Sequence, residues 1–260
     1  MPRAESAPKK AAGLTARRFM MQIPLHIVAS GPRAASGKVL ALKKIKYMRK
    51  LILKMSMSLD GFVGGPHGEA GWVFKTADDQ STAWTIEMIS RAGIHIMGSK
   101  TFHDMAAWWP TSMEPFAPPM NDIPKGVFTK KGFSGADPKL TTHAVKDALK
   151  NREQKGDKVS SNPAGAESWA HPRVFAGDMA QAIQTLKQEP GKDIVAHGGA
   201  GFARSLVATG LIDEFLLLVH PVALGSGLAL FSGLSRPLDL QLVEVKTFPR
   251  GTAAHIYRPA

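Results

Sequence analysis

Three glycines, Gly198, Gly199 and Gly201, separate a short apolar run from an Ala-rich run in the segment DIVAHGGAGFARSLVATG. Glycine weakens both strands and helices, so three within four positions need a physical reason. The first backbone amides of a helix have no partner within the helix, and with the helix dipole they form a site for anions. Since side chains would block a phosphate there, the segment indicates a phosphate-binding turn. The alternative is a tight turn that only allows close packing.

A second segment, IHIMGSKT, repeats this design. Its apolar run is followed by Gly98 and then by Ser99, Lys100 and Thr101 at the start of a helix-like run. Lys100 adds a positive charge and Thr101 adds a hydroxyl, and both suit a phosphate. For Thr101 an ordinary helix cap is an equally good interpretation. Two such turns could hold a dinucleotide from two sides, because ligands of parallel sheets bind at the carboxyl ends of the strands.

Several other kinds of site are not expected. Neither turn has the G-x-G-x-x-G pattern, no acid is placed for a ribose, and GSKT lacks the upstream glycine of a Walker A loop. The nine histidines are scattered without an H-E-x-x-H motif or a His-x-His pair, which argues against a metal site. The sequence has no G-x-S-x-G, which argues against a serine hydrolase.

The elements that position the two turns follow from the hydrophobic periodicity. LILKMSMS, residues 51–58, alternates as a strand with one strongly apolar face. Residues 78–93 predict a helix in which Trp84, Met88 and Ile89 share a face and Gly93 serves as the C-cap glycine. Further strands are predicted in IHIM, KGVFTKK, RVFAG and DIVAH, and Asp178 is predicted to cap the helix that follows RVFAG.

The last part of the chain completes the predicted sheet. EFLLLVHPVAL reads as one continuous apolar strand covered on both faces, and LQLVEVKTF and TAAHIYRP read as two final strands, antiparallel at one edge. Strands that alternate with helices predict an α/β domain with a mostly parallel central sheet. Residues 107–124 read as a Pro-rich loop. Residues 134–170 read as an insertion or a lid that includes a helix over residues 142–154.

The positive charge of the chain is concentrated at its start. Of the net charge of +12, residues 1–50 contribute +11 and residues 51–260 only +1. A nucleic-acid-binding domain carries its charge on the fold, so nucleic-acid binding is not expected. We interpret residues 1–47 as a basic extension that is a disordered tail, a targeting segment or an unused upstream start before Met48.

The sequence lacks a long apolar run and lacks cysteine, and both features bear on the compartment expected for the protein. No apolar run reaches about 18 residues, so no membrane span is expected. The chain has no cysteine, which excludes disulfides, Cys-based metal sites and thiol catalysis and fits a reducing compartment. We therefore expect a cytoplasmic protein without nucleic-acid or membrane partners.

The sequence resembles the dihydrofolate reductase-like superfamily, and within it the C-terminal reductase domain of bifunctional riboflavin biosynthesis proteins. The resemblance is carried by LILKMSMSLDGFVGG, IHIMGSKTFHDM, DIVAHGGAGFARSLVATGLIDEFLLLVHPVALGSGLALF and the two closing strands. It covers residues 48–260 apart from the insertion near residues 134–170. It implies a three-layer α/β fold in which helices flank a central, mostly parallel mixed sheet.

The resemblance also implies an activity and a cofactor. The activity is that of an NADPH-dependent 5-amino-6-(5-phosphoribosylamino)uracil reductase, with hydride transfer to a small, polar heterocyclic substrate. By position, the nicotinamide of NADPH would lie beside Met55 and Ser56. The residues implied around the rest of the cofactor are Gly98, Ser99, Lys100, Thr101, Gly198, Gly199, Ala200, Gly201 and Phe202. The resemblance leaves a homodimer open.

The sequence departs from these relatives on the substrate side. Riboflavin reductases carry an acidic substrate contact just before the glycine pair, where this chain has His197, and a D-D-P-x-L-x-x-R segment where this chain has HDMAAWWP. Dihydrofolate reductases carry an acid on the first helix, for which this chain offers only Glu87. Two alternatives therefore stand: a dihydrofolate or pterin reductase on the same fold, and a nucleotide-binding sensor without turnover.

Two residues near the first strand each have two interpretations. Asp60, in SLDG, is either a turn residue that binds its own backbone or the catalytic carboxylate, placed near the nicotinamide to orient the substrate or relay a proton. Trp72 either stacks on the nicotinamide or the substrate, or it covers the core as a loop aromatic.

Overall fold

The first strand shows how the sequence builds this fold. Leu51, Leu53 and Met55 are buried on one face of the strand, and Ile52 and Lys54 are partly buried on the other, as the alternation predicts.

In the computed structural model the described residues are 48–154, 156 and 167–260, without the side chains of residues 143 and 144. The predictions for residues 1–47, and for most of residues 155–166, lie outside this part of the chain.

Strands and helices alternate along the described chain. The strands are β1 Leu51–Ser58, β2 Ile94–Gly98, β3 Lys125–Thr129, β4 Arg173–Ala176, β5 Ile194–His197, β6 Glu214–His220, β7 Leu240–Thr247 and β8 Ala253–Pro259. The helices are α1 Trp72–Lys75, α2 Asp79–Ser90, α3 Ser99–Trp108, α4 Ala117–Asp122, α5 His143–Gln154, α6 Glu167–Ala170, α7 Met179–Gln188 and α8 Ala200–Ala208. Two 3-10 helices span Trp109–Thr111 and Pro138–Leu140.

The eight strands of the described residues form one sheet in the order β4-β3-β2-β5-β1-β6-β8-β7. Neighbouring strands from β4 to β6 are parallel, whereas β8 is antiparallel to both β6 and β7. The predicted mostly parallel sheet with an antiparallel edge is therefore confirmed. The helices that follow β2 and β5, namely α3 and α8, begin at the same edge of the sheet.

Helices cover the sheet on both faces and make three layers. On the first face, Leu53, Ile194 and Phe215 of the sheet pack in one core with Ile183 of α7 and Leu206 of α8. On the second face, two smaller cores involve α2, α3, α4 and α6. Ile52 of β1 packs against both of these smaller cores. This is the α/β arrangement that the resemblance implies.

The prediction that Gly93 caps a helix was wrong for an identifiable reason. Helix α2 ends before Gly93, because Arg91 is its C-cap residue. Gly93 instead donates its N–H to the Asp193 carbonyl at 2.8 Å, and a Cβ at Gly93 would lie 3.0 Å from the Lys192 carbonyl oxygen. The glycine therefore serves close approach of two chain segments and not helix capping.

The prolines also act differently from the prediction. The Pro-rich stretch 107–124 contains α4, in which proline occupies the first turn, where its missing N–H has no intrahelical partner to lose. The apolar run that starts at Glu214 is a strand only as far as His220, because Pro221 has no N–H for the ladder.

The predicted helix over residues 142–154 is confirmed as α5.

No helix in the described part of the chain is long and apolar enough to cross a membrane.

Asp213 connects three elements that are distant in sequence. Its carboxylate accepts the Leu51 N–H at 2.7 Å and the Lys187 ammonium at 2.8 Å. Lys187, at the end of α7, is itself buried and also donates to the Leu211 carbonyl at 3.1 Å. One carboxylate therefore ties the start of β1 and the end of α7 to the segment before β6.

We expect Asp213→Ala to lower the free energy of unfolding by about 2 kcal/mol, because it leaves a buried ammonium and a strand N–H without their partner. Chemical denaturation with urea measures this change. Asp239→Ala is the control, since the Asp239 side chain forms no hydrogen bond or ion pair within the described residues, and it should change stability by less than about 0.5 kcal/mol. Equal stability of the two variants would contradict the prediction.

Candidate functional site

The two glycine turns meet at the carboxyl edge of the sheet. Helix α3 begins directly after Gly98 and helix α8 directly after Gly199, and the strands that precede them, β2 and β5, are neighbours. The Gly199 N–H donates a hydrogen bond to the Thr101 hydroxyl at 2.7 Å. The peptide bond between Gly198 and Gly199 is cis. Two helix N-termini therefore lie side by side, joined by one side-chain hydrogen bond.

The glycines of the first turn differ in the atoms that an added Cβ would contact. A Cβ at Gly198 would lie 2.8 Å from the Met55 methyl, and a Cβ at Gly199 would lie 2.9 Å from the Thr101 hydroxyl oxygen. A Cβ at Gly201 would have no protein atom within 4 Å. Close packing therefore explains Gly198 and Gly199. It does not explain Gly201, which faces open space beside the helix start.

Gly98 and Phe202 serve packing between the two turns. A Cβ at Gly98 would lie 3.0 Å from the Cβ of Phe202. The Phe202 ring is partly buried, with its centroid 5.4 Å from that of Phe128 on the first face of the sheet. Phe202, which the resemblance implies as a cofactor contact, thus also holds α8 against the sheet, and Gly98 allows that contact.

Backbone amides at both helix starts lack intrahelical partners. In α8 the Ala203 N–H donates to the Gly199 carbonyl at 2.9 Å, so the amides of Ala200, Gly201 and Phe202 precede the first intrahelical bond. Those of Ser99, Lys100 and Thr101 hold the same positions in α3.

The side chains of this second turn differ in exposure. Ser99 and Thr101 are partly buried, while Lys100 is exposed and forms no ion pair within the described residues. The dipoles of both helices direct positive potential to this edge, and Lys100 adds a positive charge in the first turn of α3.

The first strand brings three residues to this edge on alternating faces. Met55 is buried on the first face below Gly198, and Ser56 and Lys54 are partly buried on the second face. Lys54 is the backbone partner of His197 on β5. Burial lowers the pKa of Lys54 to about 8. Sequence reasoning missed Lys54, although a lysine between apolar residues of the first strand was the available signal.

Two buried histidines accompany Lys54. His197 is 5% exposed, and its Nε2 has no hydrogen-bond partner among the described atoms. His220 is 3% exposed; its Nδ1 lies 2.7 Å from the Thr76 hydroxyl oxygen, and its Nε2 likewise has no such partner. Buried ring nitrogens without partners are unusual in folded proteins. The two free Nε2 atoms are therefore polar groups on the second face of the sheet, beside Lys54, that a ligand could bind.

Both histidines are neutral at pH 7. Burial, then the positive charge of Lys54, lowers the pKa of His220 to about 4. Burial lowers the pKa of His197 well below its ordinary value, and nearby His95 and Lys54 act in the same direction. No carboxylate contributes to either shift. The cluster therefore offers one ammonium and two neutral imidazoles to a ligand.

A groove of about 460 Å³ runs from Lys54 along the second face toward the amino ends of the parallel strands. Its floor is apolar and includes Ile52, Leu216 and Ile256, and α2 contributes Trp84 and Met88. It is separate from the glycine turns, which lie at the opposite ends of β2 and β5. Lys54 is the polar group that the groove shares with the cluster beside His197.

Asp60 is held by the neighbouring loop. Its carboxylate accepts hydrogen bonds from the Ser58 hydroxyl at 2.6 Å and from the backbone N–H groups of Leu224 and Gly225 at 3.0 and 2.7 Å. The bond from Ser58, followed by that from Gly225, lowers the pKa of Asp60 to about 2. This differs from the turn interpretation, in which Asp60 binds its own backbone, because both carboxylate oxygens hold a loop that is distant in sequence. We do not retain Asp60 as a catalytic residue.

Trp72 and Glu87, the two other residues considered for substrate contacts, have structural roles. Trp72 is largely buried; its indole N–H donates to the Glu69 carbonyl at 3.2 Å, and its ring meets the His220 ring edge-on at 5.3 Å. It therefore covers His220, which fits the core interpretation. Glu87 is exposed and forms an ion pair with Arg91 one turn along α2. Among the residues that the structure describes, no three His, Cys, Asp or Glu side chains form a metal-binding group.

Comparisons with known proteins agree with this architecture. Bacillus subtilis YyaP is 29% identical over 210 residues, which cover 80% of this chain and 94% of YyaP. A candidate riboflavin biosynthesis protein of Shewanella sp. PV-4 superposes with a TM-score of 0.57 at 17% identity, over 81% of this chain and 99% of that one.

A third relative is bifunctional. The diaminohydroxyphosphoribosylaminopyrimidine deaminase/5-amino-6-(5-phosphoribosylamino)uracil reductase of Thermotoga maritima superposes with a TM-score of 0.56 at 16% identity, over 83% of this chain and 58% of that one. At such identities the structural likeness shows the fold alone. The family model described as the RibD C-terminal domain matches residues 49–254. Because that match spans most of the chain, the protein belongs to the RibD C-terminal domain family of reductase-like α/β proteins.

Proposed function

We propose that this protein is an NADPH-dependent reductase that transfers hydride to a C=O or C=N carbon of a small, polar heterocycle. The related Thermotoga protein is described as a reductase of 5-amino-6-(5-phosphoribosylamino)uracil, which is a compound of this class. The observation that carries the proposal is the hydrogen bond from Gly199 to Thr101, because it brings two anion-binding helix starts together at the carboxyl edge of a parallel sheet.

The residues present fit NADPH at this edge. Gly201 leaves space beside the free amides of α8, so a pyrophosphate can approach them without meeting a side chain. Lys100 lies at the start of α3 with its ammonium free to pair with the phosphate on the adenosine ribose. Met55 and Ser56 would lie beside the nicotinamide, next to the turn at Gly198. When bound, NADPH supplies the hydride.

Lys54 is the residue that we assign to the chemical step. Negative charge develops on the oxygen or nitrogen attached to the carbon that accepts hydride. The Lys54 ammonium can donate a hydrogen bond to that atom and then its proton, which solvent replaces, and its burial strengthens the interaction. His197 and His220 stay neutral near pH 7, so they orient the substrate through their ring nitrogens without competing with Lys54 as a source of charge.

His197 stands where riboflavin reductases have an acid, and this difference changes which substrate groups the site can bind. In riboflavin reductases the acidic group at this position contacts the substrate, whereas His197 is a neutral imidazole here. A neutral imidazole can donate or accept one hydrogen bond, according to its tautomer. We therefore propose a heterocycle whose polar groups differ from those of the riboflavin precursor at this contact.

The first prediction on this site concerns Gly201. We expect Gly201→Val to weaken NADPH binding by about tenfold or more, because a branched side chain would stand beside the free amides of α8. The melting temperature should not fall, since valine is a better helix residue than glycine. Gly199 is a poorer probe, because its added Cβ would press on the Thr101 hydroxyl.

Fluorescence titration with NADPH measures the effect at Gly201. Ala208→Val, an exposed position at the other end of α8, is the matched control and should leave the NADPH affinity unchanged. If the Gly201 variant is folded and binds NADPH as tightly as the wild type, the phosphate site is not at this turn.

Lys100 distinguishes NADPH from NADH. The two cofactors differ by one phosphate on the adenosine ribose, and an ammonium–phosphate contact contributes about 1.5–3 kcal/mol, or roughly a tenfold to hundredfold change in affinity. We expect Lys100→Ala to weaken NADPH binding by about tenfold while hardly changing NADH binding. Added salt should shrink the difference between the cofactors. Calorimetric titration of both cofactors tests this. Equal losses would place Lys100 on the shared pyrophosphate.

Lys54 predicts a pH dependence of the reaction. The ammonium form of Lys54 is the hydrogen-bond donor, so kcat/KM should be highest below its pKa of about 8 and fall as the pH rises through that value. Lys54→Met should lower kcat by roughly a hundredfold and remove this alkaline limb. Lys54→Arg should restore part of the activity and move the limb above about pH 10, since guanidinium titrates far higher.

NADPH oxidation, followed by absorbance against pyrimidine, pterin and quinone substrates, provides the assay. The Lys54 variants should bind NADPH with unchanged affinity, which separates a role in the chemical step from a role in cofactor binding. Tight NADPH binding without oxidation by any of these compounds would contradict the reductase and indicate a nucleotide sensor. Preferential activity on dihydrofolate would select a pterin or folate reductase.

A further inference from the structure

His95 is a buried histidine next to the cluster around Lys54, and the reaction proposed above does not use it. It lies on β2 and is 0% exposed. Its ring meets the ring of His197 edge-on, with 4.6 Å between the ring centroids and 72° between the ring planes. His197, on the neighbouring strand β5, is the residue that we assign to orienting the substrate. Because His95 is sealed from solvent, it can act on a substrate only through His197.

The Ile89 carbonyl fixes the tautomer of His95. The Nε2 of His95 lies 3.1 Å from that carbonyl oxygen, which can only accept a hydrogen bond, so Nε2 carries a proton. Burial lowers the pKa of His95 to about 3, so the ring is neutral at pH 7 and holds no second proton. The Nδ1 of His95 is therefore an acceptor, and this buried atom has no donor within the described residues.

The two ring nitrogens of His197 differ in their surroundings. Its Nε2 is buried without a partner, whereas its Nδ1 also lacks a hydrogen bond within the described residues but is not fully buried. Burial lowers the pKa of His197 well below its ordinary value, so this ring is neutral as well. A neutral imidazole carries one proton, so His197 has one donor nitrogen and one acceptor nitrogen.

We propose that His95 is a positioning residue, which keeps the proton of His197 on Nε2 by accepting a hydrogen bond from it at Nδ1. Both buried nitrogens then have a partner, as buried polar groups in folded proteins nearly always do. In the other tautomer of His197, both of these nitrogens would be buried acceptors without a donor, which is unfavourable. The Nδ1 of His197, the nitrogen that is not fully buried, is consequently an acceptor.

The tautomer of His197 defines which substrate group it can bind, and this step rests on the proposed function. An acceptor at Nδ1 binds an N–H or O–H group of the substrate and disfavours a carbonyl oxygen, because two lone pairs would then face each other. The acid of riboflavin reductases also accepts at this position, but with two oxygens, whereas His197 accepts with one nitrogen. The substrate therefore presents one donor to His197, as an aminopyrimidine or a pterin can and an unsubstituted quinone cannot.

The tautomer can be measured without substrate or cofactor, so this test does not depend on reductase activity. We expect ¹⁵N NMR of the full chain near pH 7 to show His197 protonated at Nε2, with its signals assigned by their loss in His197→Gln. A ¹⁵N–¹⁵N coupling between Nε2 of His197 and Nδ1 of His95 should report the hydrogen bond directly. The signals of His95 should show Nε2 protonated and Nδ1 unprotonated.

Substitutions of His95 test whether this residue sets the tautomer. His95→Phe keeps an aromatic ring but removes the acceptor, so His197 should shift toward the Nδ1–H tautomer. His95→Gln is the matched control, because its amide can donate to the Ile89 carbonyl and accept from His197, and it should retain the Nε2–H tautomer. Melting temperatures and NADPH affinity show whether each variant is folded.

Kinetics then test the consequence for the substrate. With an aminopyrimidine that the NADPH oxidation assay identifies as a substrate, His95→Phe should raise KM by about tenfold, and His95→Gln should restore most of it. With the analogue that lacks the amino group, His95→Phe should change KM little, since no donor contacts His197. A merely structural role of His95 would affect both compounds equally.

The NMR result decides on His95 even if no compound is reduced. A wild-type His197 protonated at Nδ1 would mean that Lys54 or water donates to its Nε2, and it would overturn the proposal. An unchanged tautomer in folded His95→Phe would overturn it as well. If His95→Phe does not fold, the coupling between the two rings of the wild type decides, and its absence would overturn the proposal. Absence of NADPH oxidation with every compound would instead contradict the reductase.

Discussion

The hydrogen bond from the Gly199 N–H to the Thr101 hydroxyl sets the geometry on which the candidate site depends. It requires that the chain lack a Cβ at residue 199, because such an atom would lie 2.9 Å from the hydroxyl oxygen. It also requires that α8 approach β2 closely, which the absence of a side chain at Gly98 permits against Phe202. The same backbone thus allows close packing and leaves the first amides of α8 without intrahelical partners. Gly201 is the glycine of this turn that packing does not explain.

In the core beside this turn the imidazoles are neutral, and the positive charge that acts on them comes from Lys54 and Lys125. Lys54 lies between β5 and β6, and its charge adds to burial in lowering the pKa values of His197 and His220. No carboxylate compensates for it there. Asp60, the nearby acid in sequence, is directed to the amides of Leu224 and Gly225 instead. The second face of the sheet is therefore suited to a ligand that accepts hydrogen bonds.

Much of the fold could be predicted from local pattern, because β1, β5, α2 and the Asp178 cap of α7 are specified by residues close in sequence. The mostly parallel sheet and its antiparallel edge followed from the same patterns, whereas the order of the strands did not. Gly93 could not be assigned, because its neighbour is the carbonyl of Lys192, about a hundred residues away. Lys54 was missed for a similar reason: its surroundings are set by the register of β1 with β5. Asp60 had two local interpretations, and neither included its actual partners, the amides of Leu224 and Gly225, which are far away in sequence.

The place of β8 in the sheet has a consequence for the order in which the molecule assembles. β8 is synthesised after β7 but lies between β6 and β7. Until the ribosome has released β8, β7 has no neighbouring strand, and the core that includes Trp84 and Leu216 lacks the two members that β8 provides, Ala254 and Ile256. The first face, built from β1, β5, β6, α7 and α8, has most of its residues available earlier. During translation the exposed apolar strand β7 is therefore made before β8, the strand that joins it to the rest of the sheet.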